Sequence, residues 1–402
     1  MEFTATQRTT SNYDKIHPQL QVVGNKIYYV WQERCDYGDN KYSQIWTAVM
    51  NIDGTGFVAT QRTTSAYHTN ETYTLQLQVV SDKIYYVLSK YGDNNRGQIW
   101  TAEMNIDGTG FTATQRTNYS GNYNPQMQVV ESKIYYVWYR YDDNNKPQIW
   151  TAEMNIDGND FTATQRTTSN YDKIGPQLQV VGNKIYYVWY EFSSYWQIYT
   201  AVMNIDGSGF TATQRTPSLY YAEVEPQLQV VGNKIYYVWR DYYPGHPYHQ
   251  IYTAEMNIDG TGFTATQRTR RDADRYAPQL QVAGGKVNYV WRGKTYNTPS
   301  QIWTAEMNID GNDFTATQRT TSNYDKIGPQ LQVVGNKIYY VWQEHDGSHY
   351  QIWTAELTIV PPLSRIKYWT GTEWKTGTLK VWDGSNWVVK PVKFWTGTEW
   401  KT

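Results

Sequence analysis

The stretch "FTATQRTTSNYDKIHPQLQVVGNKIYYVW", Phe3 to Trp31, decides the fold. Its opening phrase, Phe-x-Ala-Thr-Gln-Arg-Thr, returns at Phe57, Phe111, Phe161, Phe210, Phe263 and Phe314. A unit of roughly 50 residues suits one four-stranded blade of a β-propeller. Each unit holds four short runs rich in β-branched and aromatic residues. In the first full unit they are "PQLQVV" (Pro18–Val23), "KIYYVW" (Lys26–Trp31), "QIWTAVMN" (Gln44–Asn51) and "FVATQRT" (Phe57–Thr63). Gly, Asn, Asp or Pro bounds each run, which is how strands are punctuated. "GN" splits the first two runs as a hairpin signal, and "IDGTG" splits the last two. No helical periodicity runs through the unit.

Calling the strands a to d, the chain opens on a strand d (Phe3–Thr9) and closes its repeats on a, b and c, the last being "QIWTAELTIV" (Gln351–Val360). Pairing the first strand with the last blade closes a ring and removes both free edges. The expectation is therefore all-β: a seven-bladed propeller over residues 1–360, closed by its amino-terminal strand. A small β-hairpin region is expected over residues 361–402.

The bulk composition agrees and narrows the function. Tyr occurs 38 times and Trp 18 times in 402 residues, which favours strands over helices. Lys+Arg 36 against Asp+Glu 37 leaves a net charge of -1, so no global field draws nucleic acid or an anionic membrane. Cys35 is the single cysteine, which excludes an intramolecular disulfide. No run of apolar residues is long enough to span a bilayer, and the start has no basic-then-apolar leader. The expected setting is a virion surface or extracellular space, reached without a signal peptide.

"QIWTAEMNIDGTGFTATQRT" and "PQLQVVGNKIYYVW" resemble the TolB-like and WD-like propeller repeats. The resemblance covers residues 1 to about 360 and implies a propeller fold. It departs from the TolB-like pattern in blade count, commonly six there, and in having "VVGNK" in place of a Ser-Pro-Asp-Gly turn. Beyond "VPPLSR" (Val360–Arg365) a different unit appears, Trp-x-Gly-x-x-Trp, at Trp369/Gly371/Trp374, Trp382/Gly384/Trp387 and Trp395/Gly397/Trp400. These copies are similar to short repeats near the ends of tailed-phage structural proteins. So short a segment cannot bury six tryptophans by itself. The six are expected to anchor the chain to a virion structural protein or to a second copy.

The two ends of the ring read differently. The a–b turns ("VVGNK") and c–d turns ("NIDG") are short and uniform. The b–c and d–a loops change from blade to blade and carry the blade-specific Tyr and Asn. Loops on a rigid scaffold are where recognition is built, and such a composition suits a recognition surface. The ligand-binding candidates are Tyr37, Tyr91, Tyr141, Tyr195, Trp196, Tyr242, Tyr243, His246, Tyr296 and His345, facing a host glycan or cell-surface receptor.

Motifs for chemistry are sparse. The Gln-Arg of strand d and the Gln opening strand c recur in every unit, which fits blade-to-blade hydrogen bonding; equivalent ligand sites between blades are the rival. The Gln residues of "QLQ" are expected to ring a hydrated channel. The Asp/Asn-rich loops at Asp36–Asn40, Asp93–Asn95 and Asp142–Asn145 match no full calcium loop. His246 with His249, or His345 with His349, lacks a third ligand in sequence reach. The sequence therefore predicts no metal, no cofactor and no catalytic residue. It predicts a non-enzymatic binding protein, with a free lectin or a glycan-cleaving enzyme as alternatives. For cleavage, a carboxylate pair such as Glu191 with Asp241 or Glu344 is the form to look for.

Overall fold

The computed structural model describes residues 3–37, 40–64, 74–91, 96–119, 121–217, 224–242, 248–270, 272–359, 365–378, 380–382, 384–389, 394–395 and 400–401. Side chains at 35–37, 40–42, 91, 365–369, 374–378, 389, 394–395 and 400–401 lie outside the description. Seven four-stranded antiparallel sheets follow one another, and no helix occurs among the described residues. Blade 1 is built from strands Asp14–Val23, Lys26–Tyr37, Asn40–Asn51 and Val58–Gln61. Blade 7 takes Lys326–Val334, Lys337–His345 and Tyr350–Thr358 from the end of the repeats, and Phe3–Gln7 from the start.

That clasp is in register from Phe3 opposite Leu357 to Gln7 opposite Trp353. Phe3 lies 5.4 Å from the Tyr340 ring and 6.1 Å from Trp342. The Arg8 amide donates to the Ile352 carbonyl at 2.8 Å. The ring is thus closed through a strand borrowed from the far end of the chain, as the repeat phase requires.

The five residues "IYYVW" of strand b are all buried rather than on alternate faces, because a neighbouring blade covers each side of them. This explains why "IYYVW" is a continuous apolar run. Trp239, for example, sits among Tyr186, Val188 and Ile198 of the preceding blade. Strand d is short and exposed on the outer rim.

Two rings of side-chain bonds lock the blades together. The second Gln of each "QLQ" accepts the amide of the next blade's inner strand. Val79 donates to Gln21 at 2.5 Å, Val129 to Gln78 at 2.6 Å, Val180 to Gln128 at 2.6 Å and Val230 to Gln179 at 2.5 Å. Val282 to Gln229, Val333 to Gln281 and Val22 to Gln332 complete the circle. The channel is lined by these Gln together with Leu20, Leu178, Leu228, Leu280 and Leu331. The amides thus ring the channel, as strand alternation predicts, and also clamp each blade to the next. On the opposite side, the strand d Arg reaches the next blade's "NIDG" glycine: Arg62 to the Gly108 carbonyl at 2.8 Å and Arg116 to Gly158 at 2.9 Å. That is the blade-to-blade role the sequence implied for them.

Beyond the ring, three two-stranded antiparallel ladders follow, one for each Trp-x-Gly-x-x-Trp copy. In each, the two tryptophans face one another across the ladder: Trp369 opposite Trp374, Trp382 opposite Trp387 and Trp395 opposite Trp400. The hairpin reading of each copy therefore holds at the level of the backbone.

Candidate active site at the mouth of the channel

Near the loop-side end of the inner strand, six blades carry a register shift against strand b. The bulged residue has a positive φ: His17, Asn124, Gly175, Glu225, Ala277 and Gly328. Left-handed backbone costs a residue with a Cβ of the order of 1 kcal/mol or more, and such outliers gather at functional sites. Directly across the sheet, the residue after the buried Val-Trp pair also changes by blade: Gln32, Tyr139, Tyr190, Arg240, Arg292 and Gln343. Two non-uniform rings therefore surround the mouth of a channel whose walls are uniform.

Blades 1, 4 and 7 share the loop "TTSNYDKI" and spend it on structure. Lys15, Lys173 and Lys326 are almost fully buried and face Glu33 at 2.6 Å, Glu191 at 3.6 Å and Glu344 at 3.1 Å. Each ammonium also donates to a loop Ser hydroxyl and to a loop Tyr carbonyl. Burial lowers the pKa of Lys173 and Lys326 and raises that of Glu191. Glu191 and Glu344 are thus consumed by struts and Asp241 is 4% exposed, so the carboxylate pair named from the sequence is not an open site.

Blades 5 and 6 abandon this strut. Their inner strands are Val224–Val231 and Asp274–Ala283, and their second strands Lys234–Asp241 and Lys286–Lys294. Glu225 pairs with Arg240 at 2.9 Å and accepts the Ala277 amide at 2.8 Å, which ties the two bulges together. Arg240 lies 5.0 Å from the Tyr276 ring and Arg292 lies 4.6 Å from it. The His249 ring lies tilted against Tyr276 at 5.1 Å and against Tyr242 at 5.0 Å. Its Nδ1 is 3.0 Å from Asp274 Oδ1, and its backbone amide donates to the same oxygen at 2.9 Å.

The backbone half of that contact is part of the repeat, since the Tyr350 amide meets Asp14 and the Ser300 amide meets Asp325 in the same way. Among these three clasps only blade 5 adds an imidazole. Burial lowers the His249 pKa against the opposing pull of Asp274, so the ring is neutral at pH 7. A carboxylate can only accept, which assigns the proton to Nδ1 and leaves a lone pair on Nε2. Tyr276 keeps its phenolic proton, because burial first and Asp274 second raise its pKa. A neutral imidazole held by Asp274 therefore lies beside a protonated phenol.

The residues singled out in the sequence scatter over several blades and the tail. Tyr141 packs with Tyr123 at 5.9 Å and Tyr139 at 6.0 Å in blade 3. Trp196 packs with Tyr190 at 5.0 Å and Phe192 at 5.1 Å, next to half-buried Tyr195. Tyr242 belongs to the His249 cluster, while Tyr296 is 80% exposed. His345 is 5.1 Å from Tyr350, and its Nδ1 accepts the Gly347 amide. Tyr37 and Tyr91 end strands, but their side chains are among those outside the description, and Tyr243 and His246 lie outside the described residues altogether. Among the described residues no three His, Cys, Asp or Glu converge to hold a metal. Asp142 closes its own loop by accepting the Asn144 and Lys146 amides at 2.9 Å.

The six tail tryptophans expected to anchor the chain divide in two. Trp382 and Trp387 are 52% and 65% exposed and meet edge-on at 5.8 Å. Trp369, Trp374, Trp395 and Trp400 are placed by their backbone pairing only, since their side chains lie outside the description. The structure thus shows exposed indole for the middle hairpin alone.

Glu225, Arg240, Asp274, Tyr276 and Arg292 lie in strands and not in the variable loops that the sequence marks for recognition. The signal was present for four of them: Glu225, Arg240, Tyr276 and Arg292 depart from the unit's wording inside a strand, whereas Asp274 keeps it and is set apart only by the imidazole opposite.

No family model matches the chain, and no curated protein matches it. The TolB-like and tailed-phage resemblances thus rest on sequence wording alone. Solved structures share the fold. The polysaccharide lyase Uly1 aligns at TM-score 0.60 and 8% identity, over 85% of this chain and 89% of that one. The phage phi92 endosialidase aligns at 0.56 and 11%, over 98% and 75%. The propeller domain of the Trilobed protease from Pyrococcus furiosus aligns at 0.50 and 9%, over 88% and 98%. At these identities the likeness is one of fold. It corrects the non-enzymatic expectation, which rested on the sparse motifs: the same scaffold is shared with a lyase and an endosialidase. No helix among the described residues is long and apolar enough to cross a membrane.

Proposed function

We propose that this propeller cleaves a glycan at the loop-side mouth of its channel, in blades 5 and 6. The carrying observation is the cluster in which His249 Nδ1 meets Asp274 at 3.0 Å and the Tyr276 ring lies 5.1 Å from the imidazole. Acid and base of this kind contribute about 10²–10⁴ in rate when placed on either side of a reacting bond. His249 Nε2 takes a proton from the attacking water or from the sugar carbon, and the Tyr276 hydroxyl gives one to the departing oxygen. Asp274 holds the imidazole tautomer, and the Glu225–Arg240 pair fixes the wall beside it. The half-buried aromatics Tyr242, Trp196 and Tyr141 offer faces on which sugar rings stack. The two solved propellers named for glycan cleavage support this reading.

The reading extends to setting. The exposed Trp382–Trp387 pair is apolar surface in need of a cover. We assign the tail to anchoring on a virion structural protein or on a second copy, with the propeller turned to host glycan.

The test is release of new reducing ends, or of unsaturated ends, from a panel of bacterial and plant polysaccharides. His249→Gln should slow cleavage about 100-fold or more while glycan binding persists. A panel left intact by the wild-type chain, or His249→Gln at the wild-type rate, would overturn the proposal.

A further inference from the structure

The position after the buried Val-Trp pair is neutral in the strut-bearing blades: Gln32, Tyr190 and Gln343. Those blades fold without a cation there. Blades 5 and 6, which are adjacent, put arginine at this position, and both guanidiniums converge on Tyr276. Their charges are not equally spent. Arg240 is paired with Glu225. Arg275, next to Tyr276 in the chain, is paired with Asp272 at 2.9 Å. Arg292 forms no ion pair among the described residues. Asp325, close enough to feel its charge, is turned to the Ser300 amide at 2.8 Å and hydroxyl at 3.0 Å. The Arg292 Nε is buried without a hydrogen-bond partner, as are those of Arg275 and of two arginines in blades 1 and 3, so it is the missing ion pair that sets Arg292 apart from Arg240 and Arg275. A guanidinium without a counter-ion gains the fold little.

We infer that Arg292, assisted by Arg240, is the subsite for a carboxylate, and that the glycan cleaved here is built of carboxylated sugars. This rests on the glycan reading of the same site and adds its substrate class. A guanidinium binds a carboxylate through two parallel N–H bonds, a geometry that a neutral hydroxymethyl cannot use. Tyr276 holds the fork from one side, so it is already oriented when the sugar arrives. The acid would lie beside His249, whose ring is 5.1 Å from that of Tyr276.

The probes are oligogalacturonate, oligomannuronate and oligosialate, each beside its carboxyl-reduced counterpart, with binding read by calorimetry. The wild-type chain should hold at least one acid about ten-fold or more tightly than its reduced form. Arg292→Gln should bring that ratio to about one, and Arg292→Lys should keep part of it, because lysine retains the charge without the fork. Reduced forms bound as tightly as the acids, or a ratio that survives in Arg292→Gln, would overturn the inference. If Arg292→Gln does not fold, the wild-type ratio and Arg292→Lys still decide. Cleavage of neutral glycans with no carboxylate preference overturns the inference and leaves the glycan reading standing. Binding of neither set overturns both.

Discussion

Lys173→Met should be costly, and its cost should depend on pH. Lys173 is 3% exposed and Glu191 is 5% exposed, with 3.6 Å between their charged atoms. Removing one member of a buried pair typically costs about 3–5 kcal/mol, because the other charge is stranded. The variant also loses the donation to the Tyr171 carbonyl at 2.9 Å, which ties down the d–a loop. Burial already raises the Glu191 pKa with the lysine present, so without it the carboxyl should rise further. The sign follows from linkage. Between the unfolded pKa of about 4.5 and the raised folded value, the folded state holds a proton that the unfolded state has released. Stability therefore falls as pH rises through that window, by up to about 1.4 kcal/mol per pH unit. Urea midpoints across pH 4.5 to 8 should show the variant close to wild type at the acid end and most destabilised at the alkaline end. The double change Lys173→Met with Glu191→Leu should recover most of the loss, since apolar replacement of a buried pair is often neutral. A pH-independent loss below about 1 kcal/mol would refute the reasoning.

Deleting residues 1–10 should lower the melting temperature by several degrees. Grafting "NIDGTGFTATQRTT" after Leu357, which holds the place of the Met in the other blades, should restore it in that deletion, because strand d then reaches the same edge from the other side; a deletion that melts like the full chain would sink the clasp. The cleavage rate should hold down through pH 6.5 and fall only below it, because burial keeps His249 neutral to lower pH than an ordinary histidine. A rate already halved at pH 6.5 or above would remove His249 as the base. Protein ending at residue 359 should scatter light as a single ring, and the full chain as a larger species. A monomeric full chain would show that the tail does not self-associate and leave a separate structural partner as its cover.

The unit repeat, the strand runs, the turns and the phase of the first strand were all legible in the sequence, and each is fixed by local chemistry. "VVGNK" turns because Gly24 and its equivalents accept a positive φ. "IYYVW" is apolar throughout because both of its faces meet a blade. Ring closure followed from one missing strand and one spare strand, a matter of matching edges. The chemistry was not legible in this way. Glu225 and Arg240 belong to one blade and Tyr276 and Arg292 to the next, and His249 sits in the loop of the first. Their meeting depends on how two sheets pack and on a bulge that turns the inner strand, neither of which is written in any single unit. Burial then decided the roles. The same carboxylate type is spent on a lysine at Glu191, on an arginine at Glu225 and on an imidazole at Asp274, and only the packed structure tells these apart.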